Sequence, residues 1–117
     1  TLLIWRQAGQ IYKEGWHIPG GIIRYKDKIK NRIDAVAKNE LNCKVIFEKN
    51  PIAVNQVMLD QKNRGHFISL LYSCKLIKNP NTDIYYSSGK PKVGEWSWHD
   101  KCPKNIIVPH KMYKNFF

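Results

Sequence analysis

The side chains that could do chemistry gather between Gly15 and Cys43, in the stretch GWHIPGGIIRYKDKIKNRIDAVAKNELNC. From Ile29 onward the apolar residues Ile29, Ile33, Val36, Ala37 and Leu41 keep the three-and-four spacing of a helix with one face in a core. Glu40 lies four residues after Val36, at the margin of that face. A carboxylate placed there is costly unless it is paired, hydrogen-bonded or bound to a metal. Ahead of the helix, Gly20 and Gly21 form a turn whose missing side chains let a backbone carbonyl approach a ligand. One such carbonyl, the Glu40 carboxylate and water make a donor set suited to a hard cation such as Mg2+ or Mn2+. Asp27 precedes the apolar run and has two roles open to it, second metal ligand or helix N-cap.

The elements that must position these groups follow in chain order. Leu2 to Arg6 reads as a strand, and Trp16-His17-Ile18 as a shorter one before the Pro-Gly-Gly turn. Arg6 would end its strand on the side of that turn, where its fork suits bidentate phosphate contact; the alternative is a solvated strand end. His17 reads as a structural residue beside the turn. After the helix comes a strand over Cys43 to Phe47. Two β-branched runs, Ile52 to Leu59 and His66 to Ile77, then predict an antiparallel hairpin across a turn-rich joint. His66 opens the second run, where it either caps the strand or reaches a cleft. Lys78 to Gly94, broken by Pro80, Gly89, Pro91 and Gly94, reads as a loop with a short structured piece at Asp83 to Tyr86. Glu95 to His99 is a strand, Lys101 to Asn105 a turn, and His110 to Phe117 a closing amphipathic helix. Strands flanking one helix, then more strands and a final helix, predict a single α+β domain over residues 1–117 with a mixed sheet between helices.

The Gly21–Cys43 stretch resembles the Nudix box, which runs Gly, five residues, Glu, seven residues, Arg-Glu, an apolar residue, any residue, Glu-Glu, any residue, Gly and an apolar residue. With the first Gly at Gly21, Asp27 stands at the first Glu, Glu40 at the last and Cys43 at the final apolar place. Ala35, Val36, Asn39 and Asn42 depart from the pattern. The flanks are similar to the GDP-mannose mannosyl hydrolase branch of that superfamily: Trp16 to Gly21, Ala37 to Leu41, Trp96-Ser97-Trp98, and a His-led segment from His110 to paired aromatics at Phe116-Phe117. The resemblance implies a Nudix-type α/β/α sandwich and hydrolysis of a nucleoside diphosphate sugar at the sugar carbon. It implies a metal held by the Gly20 or Gly21 carbonyl and Glu40, and diphosphate contact by Arg6. In that branch a Gln-His pair supplies a further ligand and the base. Those places fall on Lys92 and Val93 here, which leaves Glu95 as the nearest carboxylate to compensate and His99 as the nearest imidazole. Two arginine places near the diphosphate are Ile22 and Ala35, with Arg24 available to replace the former. Trp5, Trp16, Trp96 and Tyr25 are candidates for stacking on base or sugar, although strand aromatics are more often core.

Twenty Lys and Arg against nine Asp and Glu give a formal charge of +11, which favours polyanionic partners: a nucleotide diphosphate first, RNA second. Scattered lysines on a solvated face are the plainer alternative. A catalytically impaired module that binds nucleotide sugar or RNA is the competing function, and a structural scaffold the third. Cys43, Cys74 and Cys102 are odd in number and lack CxxC spacing, so the expected state is reduced and cytoplasmic. No run is long and apolar enough for a membrane span. Thr1 is followed at once by Leu2-Leu3-Ile4, which predicts that the chain begins inside a strand, with an earlier strand missing that would carry a further ligand or dimer contacts.

Overall fold

The computed structural model describes residues 1–117. It is a mixed α+β fold of three small antiparallel sheets, one α-helix and a C-terminal 3₁₀ helix. The strands are β1 (Leu2–Arg6), β2 (Gly15–His17), β3 (Lys44–Phe47), β4 (Ala53–Met58), β5 (His66–Leu71), β6 (Cys74–Lys78) and β7 (Trp96–Trp98). The helix α1 spans Ile29–Leu41, and 3₁₀ segments span Thr82–Ile84 and Val108–Phe116.

The central strand β1 pairs with β2 on one side and β7 on the other. Its run of Leu3, Ile4 and Trp5 is buried throughout, as expected of a strand covered on both faces. Alternation splits the run. Ile4 joins Ala37, Leu41, Cys43 and Trp96 in a core under α1, while Leu3 and Trp5 join Trp16 in a second core backed by Tyr86 and Phe117. Register carries the split to the neighbours: Ile4 stands opposite His17 and Trp96, and Trp5 opposite Trp16. Residues directly opposite share a face. His17 therefore faces the α1 side, and Trp16 faces away from it.

The helix begins without a side-chain cap at Lys28. It closes at Asn42, whose left-handed backbone (φ 47°) lets its amide reach the Lys38 carbonyl while Cys43 reaches that of Ala37. Ala37 and Leu41 are its buried residues, so the predicted periodicity holds over its second half.

Three expectations are corrected. The run His66 to Ile77 is two strands, because the chain breaks at Tyr72-Ser73 where Tyr72 packs on Phe47. Its first part pairs with β4 and its second with β3. The strands form separate antiparallel sheets, and parallel pairing is confined to isolated bridges at Trp16–Ile106 and Tyr85–Trp96. The closing helix starts at Val108 and is 3₁₀, a form in which residues three apart eclipse. That stacks His110, Tyr113 and Phe116 at centroid distances of 6.3 and 6.4 Å. Tyr113 is buried and its hydroxyl meets that of Ser69. No helix is long and apolar enough to cross a membrane.

Candidate functional site

A cleft opens where the end of β1, the Pro-Gly-Gly turn and one side of α1 meet, with Val93 and Gly94 also in its wall. Arg6, His17, Gly20, Gly21, Arg24 and Glu40 line it, together with Arg32 and Asn39. Each arrives for a local reason. Arg6 stands two residues beyond Ile4 on β1 and so shares its face. Arg32, Val36 and Glu40 form one row of the helix at intervals of four. Gly21 lies against that row: a Cβ there would stand 2.9 Å from Arg32 Cδ and 3.0 Å from Val36 Cγ2. A larger residue there would have to displace the Arg32 and Val36 side chains or shift the turn.

The electrostatics of the cleft are unbalanced. Glu40 Oε2 is buried and has no hydrogen-bond partner, and desolvation raises its carboxyl to about 7, against the counter-pull of Arg6. Arg32 Nε is likewise buried and unpartnered. The Nη2 of that guanidinium donates to Asp27 Oδ2 at 2.7 Å. Asp27 also accepts from the Arg24 amide at 2.9 Å, and these bonds hold its carboxyl below the usual range. Asp27 is thus neither the helix cap nor a free ligand; it orients Arg32. Arg6 lies over the Tyr12 ring, 5.7 Å from its centroid, a cation–π contact that props the guanidinium at the cleft mouth.

His17, expected to be only a structural residue beside the turn, lines the cleft. Its Nδ1 stands 2.7 Å from the Ile4 carbonyl, which only accepts, so Nδ1 carries the proton and Nε2 bears a lone pair. Burial, then Arg6, lower its pKa to about 4. A neutral imidazole with a bare nitrogen therefore sits in the wall of the cleft. Behind it, His110 accepts the Ile18 amide through Nδ1 at 3.0 Å and is also lowered to about 4, by burial, His17 and Arg6.

Other predicted residues lie elsewhere. Trp16 is 4% exposed and packs on Trp5, Tyr86 and His99, inside the second core and on the face turned from the cleft. Trp5 is buried in the same core although it also lines the cleft, Trp96 is buried in the core under α1, and Tyr25 is 90% exposed. The Glu95 carboxylate accepts the Lys92 amide at 2.8 Å and does not line the cleft, although its chain neighbour Gly94 does. His99 bonds Ser97 across the same face as Trp16. His66 is on the hairpin beside Gln56.

No three His, Cys, Asp or Glu side chains come together to hold a metal ion. The cleft offers one unpartnered carboxylate oxygen, one imidazole nitrogen and the Gly20 and Gly21 carbonyls, neither of which accepts a backbone hydrogen bond. Such a set is too sparse for an all-protein cage, yet it fits Mg2+, which typically uses one or two carboxylates plus substrate phosphates and water. No family model matches the chain, and no curated protein or solved structure matches it with significance.

Proposed function

We propose that the cleft binds the diphosphate of a nucleoside diphosphate sugar or related nucleotide derivative together with Mg2+ or Mn2+, and that the chain hydrolyses it as a Nudix-type enzyme of the GDP-mannose mannosyl hydrolase kind. One observation carries this reading. Two buried, unpartnered atoms of opposite demand, Glu40 Oε2 and Arg32 Nε, line the same cleft. A bare anion would satisfy the guanidinium and strand the carboxylate, and a bare cation would do the reverse. A metal diphosphate satisfies both. In this reading the three sheets and helix are the Nudix-type sandwich, with α1 as the box helix.

Roles follow from position. Arg6, Arg24 and Arg32 would hold phosphate oxygens, and the Gly20-Gly21 turn lets the ligand approach the backbone. When bound, the divalent cation would offset charge on the phosphates. Hydrolysis at the sugar carbon needs a proton taken from the attacking water, for which Glu40 and His17 are the two groups facing the cleft. A second reading, binding without turnover, is favoured by the position of Glu95 outside the cleft wall.

Assay of a nucleotide-sugar and dinucleotide panel with Mg2+ and Mn2+, beside calorimetry of the same ligands, tests both. Metal-dependent turnover that Glu40→Gln abolishes supports the enzyme. Binding without turnover supports the module, and no binding of any diphosphate overturns both.

A further inference from the structure

The opposite side of α1 carries a second concave surface. It is a groove between the helix and the β3–β6 ribbon, lined by Lys30, Lys38, Lys44 and Lys78 around Val45, Ile46, Phe47 and Ile77. The one acid in its wall, Asp34, is already paired with Lys30 at 2.6 Å. Lys38, Lys44 and Lys78 have no salt-bridge partner and are exposed. Lys44 and Lys78 are register partners across the ribbon, at a bulge between Lys44 and Val45. Like charges directly opposite on a sheet destabilise it. Ile46 and Ile77 are 57% and 64% exposed between these ammonium groups, and Lys75 stands opposite Ile46.

The opposed Lys44 and Lys78 and the exposed Ile46 and Ile77 cost the isolated fold something, and with the unpaired Lys38 they describe one kind of ligand. We propose that this groove binds the phosphodiester backbone of a single-stranded nucleic acid, with base faces lying on the exposed Ile46 and Ile77. Lysines are point charges that reach phosphates without imposing the two-pronged geometry of arginine, which suits sequence-tolerant binding of a flexible strand. Concavity favours a strand over a membrane: a flat anionic bilayer would meet the rim and leave the floor beside Cys43 and Val45 untouched. The groove is separate from the diphosphate cleft, since the two share no lining residue.

Fluorescence anisotropy of a labelled uridine oligomer over a salt series tests the proposal. Contacts from the three unpaired lysines, Lys38, Lys44 and Lys78, predict a slope of about −2 in log affinity against log salt, at roughly −0.7 per contact for a single strand. Replacing Lys44 and Lys78 together by Thr should cut the slope by about 1.4. Thermal unfolding of that variant should be no lower than wild type, because a like-charge pair is removed; this distinguishes lost binding from lost fold. Glu40→Gln, in the cleft, should leave oligomer binding unchanged. Absence of oligomer binding, a slope that the double substitution does not move, or binding to phosphatidylserine vesicles in place of the oligomer would each overturn the proposal.

Discussion

One helix carries two basic surfaces of different construction. Arg32 and Glu40, with Val36 between them under Gly21, belong to the row on the cleft side, and Lys30, Asp34, Lys38 and Asn42 form the row that lines the groove. The rows are two residues out of phase, about 200° around a helix of 3.6 residues per turn. Ala37 and Leu41 are buried in the core beside them. The cleft side uses arginine, holds charges of both signs and leaves two of its polar atoms buried without partners. The groove side uses exposed lysine, is nearly all of one sign and buries none of it. A partly buried arginine fork with a carboxylate beside it is preorganised for a small, doubly demanding ligand; a ring of mobile ammonium groups is not. Net charge alone would have lumped the two together.

The two surfaces should diverge most at Glu40. Glu40→Gln keeps the shape and one acceptor but removes the charge proposed to hold a cation or take a proton. Turnover of a cleaved nucleotide sugar is expected to fall about a hundredfold to ten-thousandfold, with Mg2+ affinity reduced in calorimetry. Equal Mg2+ affinity in both proteins would remove Glu40 from the site. Arg32→Lys is the next step down: it keeps the charge and loses the buried Nε and the fork. Diphosphate affinity should drop roughly tenfold to a hundredfold, the worth of one hydrogen bond to a charged group. A tenfold loss at Lys38→Arg as well would erase the distinction between the two rows.

The same buried groups give the cleft a pH signature that the groove lacks. Glu40 is raised to about 7 from 4.5, so the folded state holds a proton that the unfolded chain releases between those values. Stability without ligand therefore falls as pH rises from about 4.5 to about 7. His17 and His110 are lowered to about 4 from 6.5, so their contribution is present above 6.5 and lost as pH falls toward 4. Unfolding followed from pH 4 to pH 8 should show both limbs. Glu40→Gln should flatten the rising-pH limb and be more stable than wild type at pH 8 by about 1–2 kcal/mol, allowing for its partial exposure. His110→Asn, whose side-chain oxygen can still accept the Ile18 amide, should flatten the acid limb. Persistence of both limbs in these variants would mean that the unbalanced groups lie elsewhere.

Much of this was readable from the chain, for physical reasons that also explain the misses. The apolar spacing of Ile33, Val36, Ala37 and Leu41 placed Glu40 at the edge of the core, and strand order put Arg6 beside the Gly20-Gly21 turn; both are local patterns. Trp16 and His17 are adjacent on a strand, so only one of them could face the cleft. Which one depended on register: Ile4 opposite His17 and Trp5 opposite Trp16 is a long-range pairing that composition does not encode. Glu95 failed to reach the cleft for the same reason, one residue of parity from Trp96, which faces α1. The break at Tyr72-Ser73 was hidden because apolar residues continue through it. It follows from the two halves pairing with different strands, β4 and β3, with Tyr72 in the break packed on Phe47. The groove was invisible because its lysines are spread from position 30 to position 78 and converge only through the pairing of β3 with β6.

The smallest expected effect separates the two acids that each hold a cation of α1. Asp27 accepts from Arg32 and from the Arg24 amide, and both of its contacts serve the cleft. Asp34 meets Lys30 four residues earlier on an exposed helix face, a pair worth a few tenths of a kcal/mol. Asp34→Asn should therefore barely move the unfolding midpoint, while freeing Lys30 and removing the only negative charge in the groove wall. Oligomer affinity should rise about twofold to threefold at low salt and converge on wild type as salt is raised, since the gain is screened. Diphosphate binding should not change. Asp27→Asn should do the reverse, loosening Arg32 and weakening diphosphate binding with no effect on the oligomer. If Asp34→Asn weakened the diphosphate, or Asp27→Asn the oligomer, the two rows of α1 would be parts of one continuous surface, and the separation argued from their phase would be wrong.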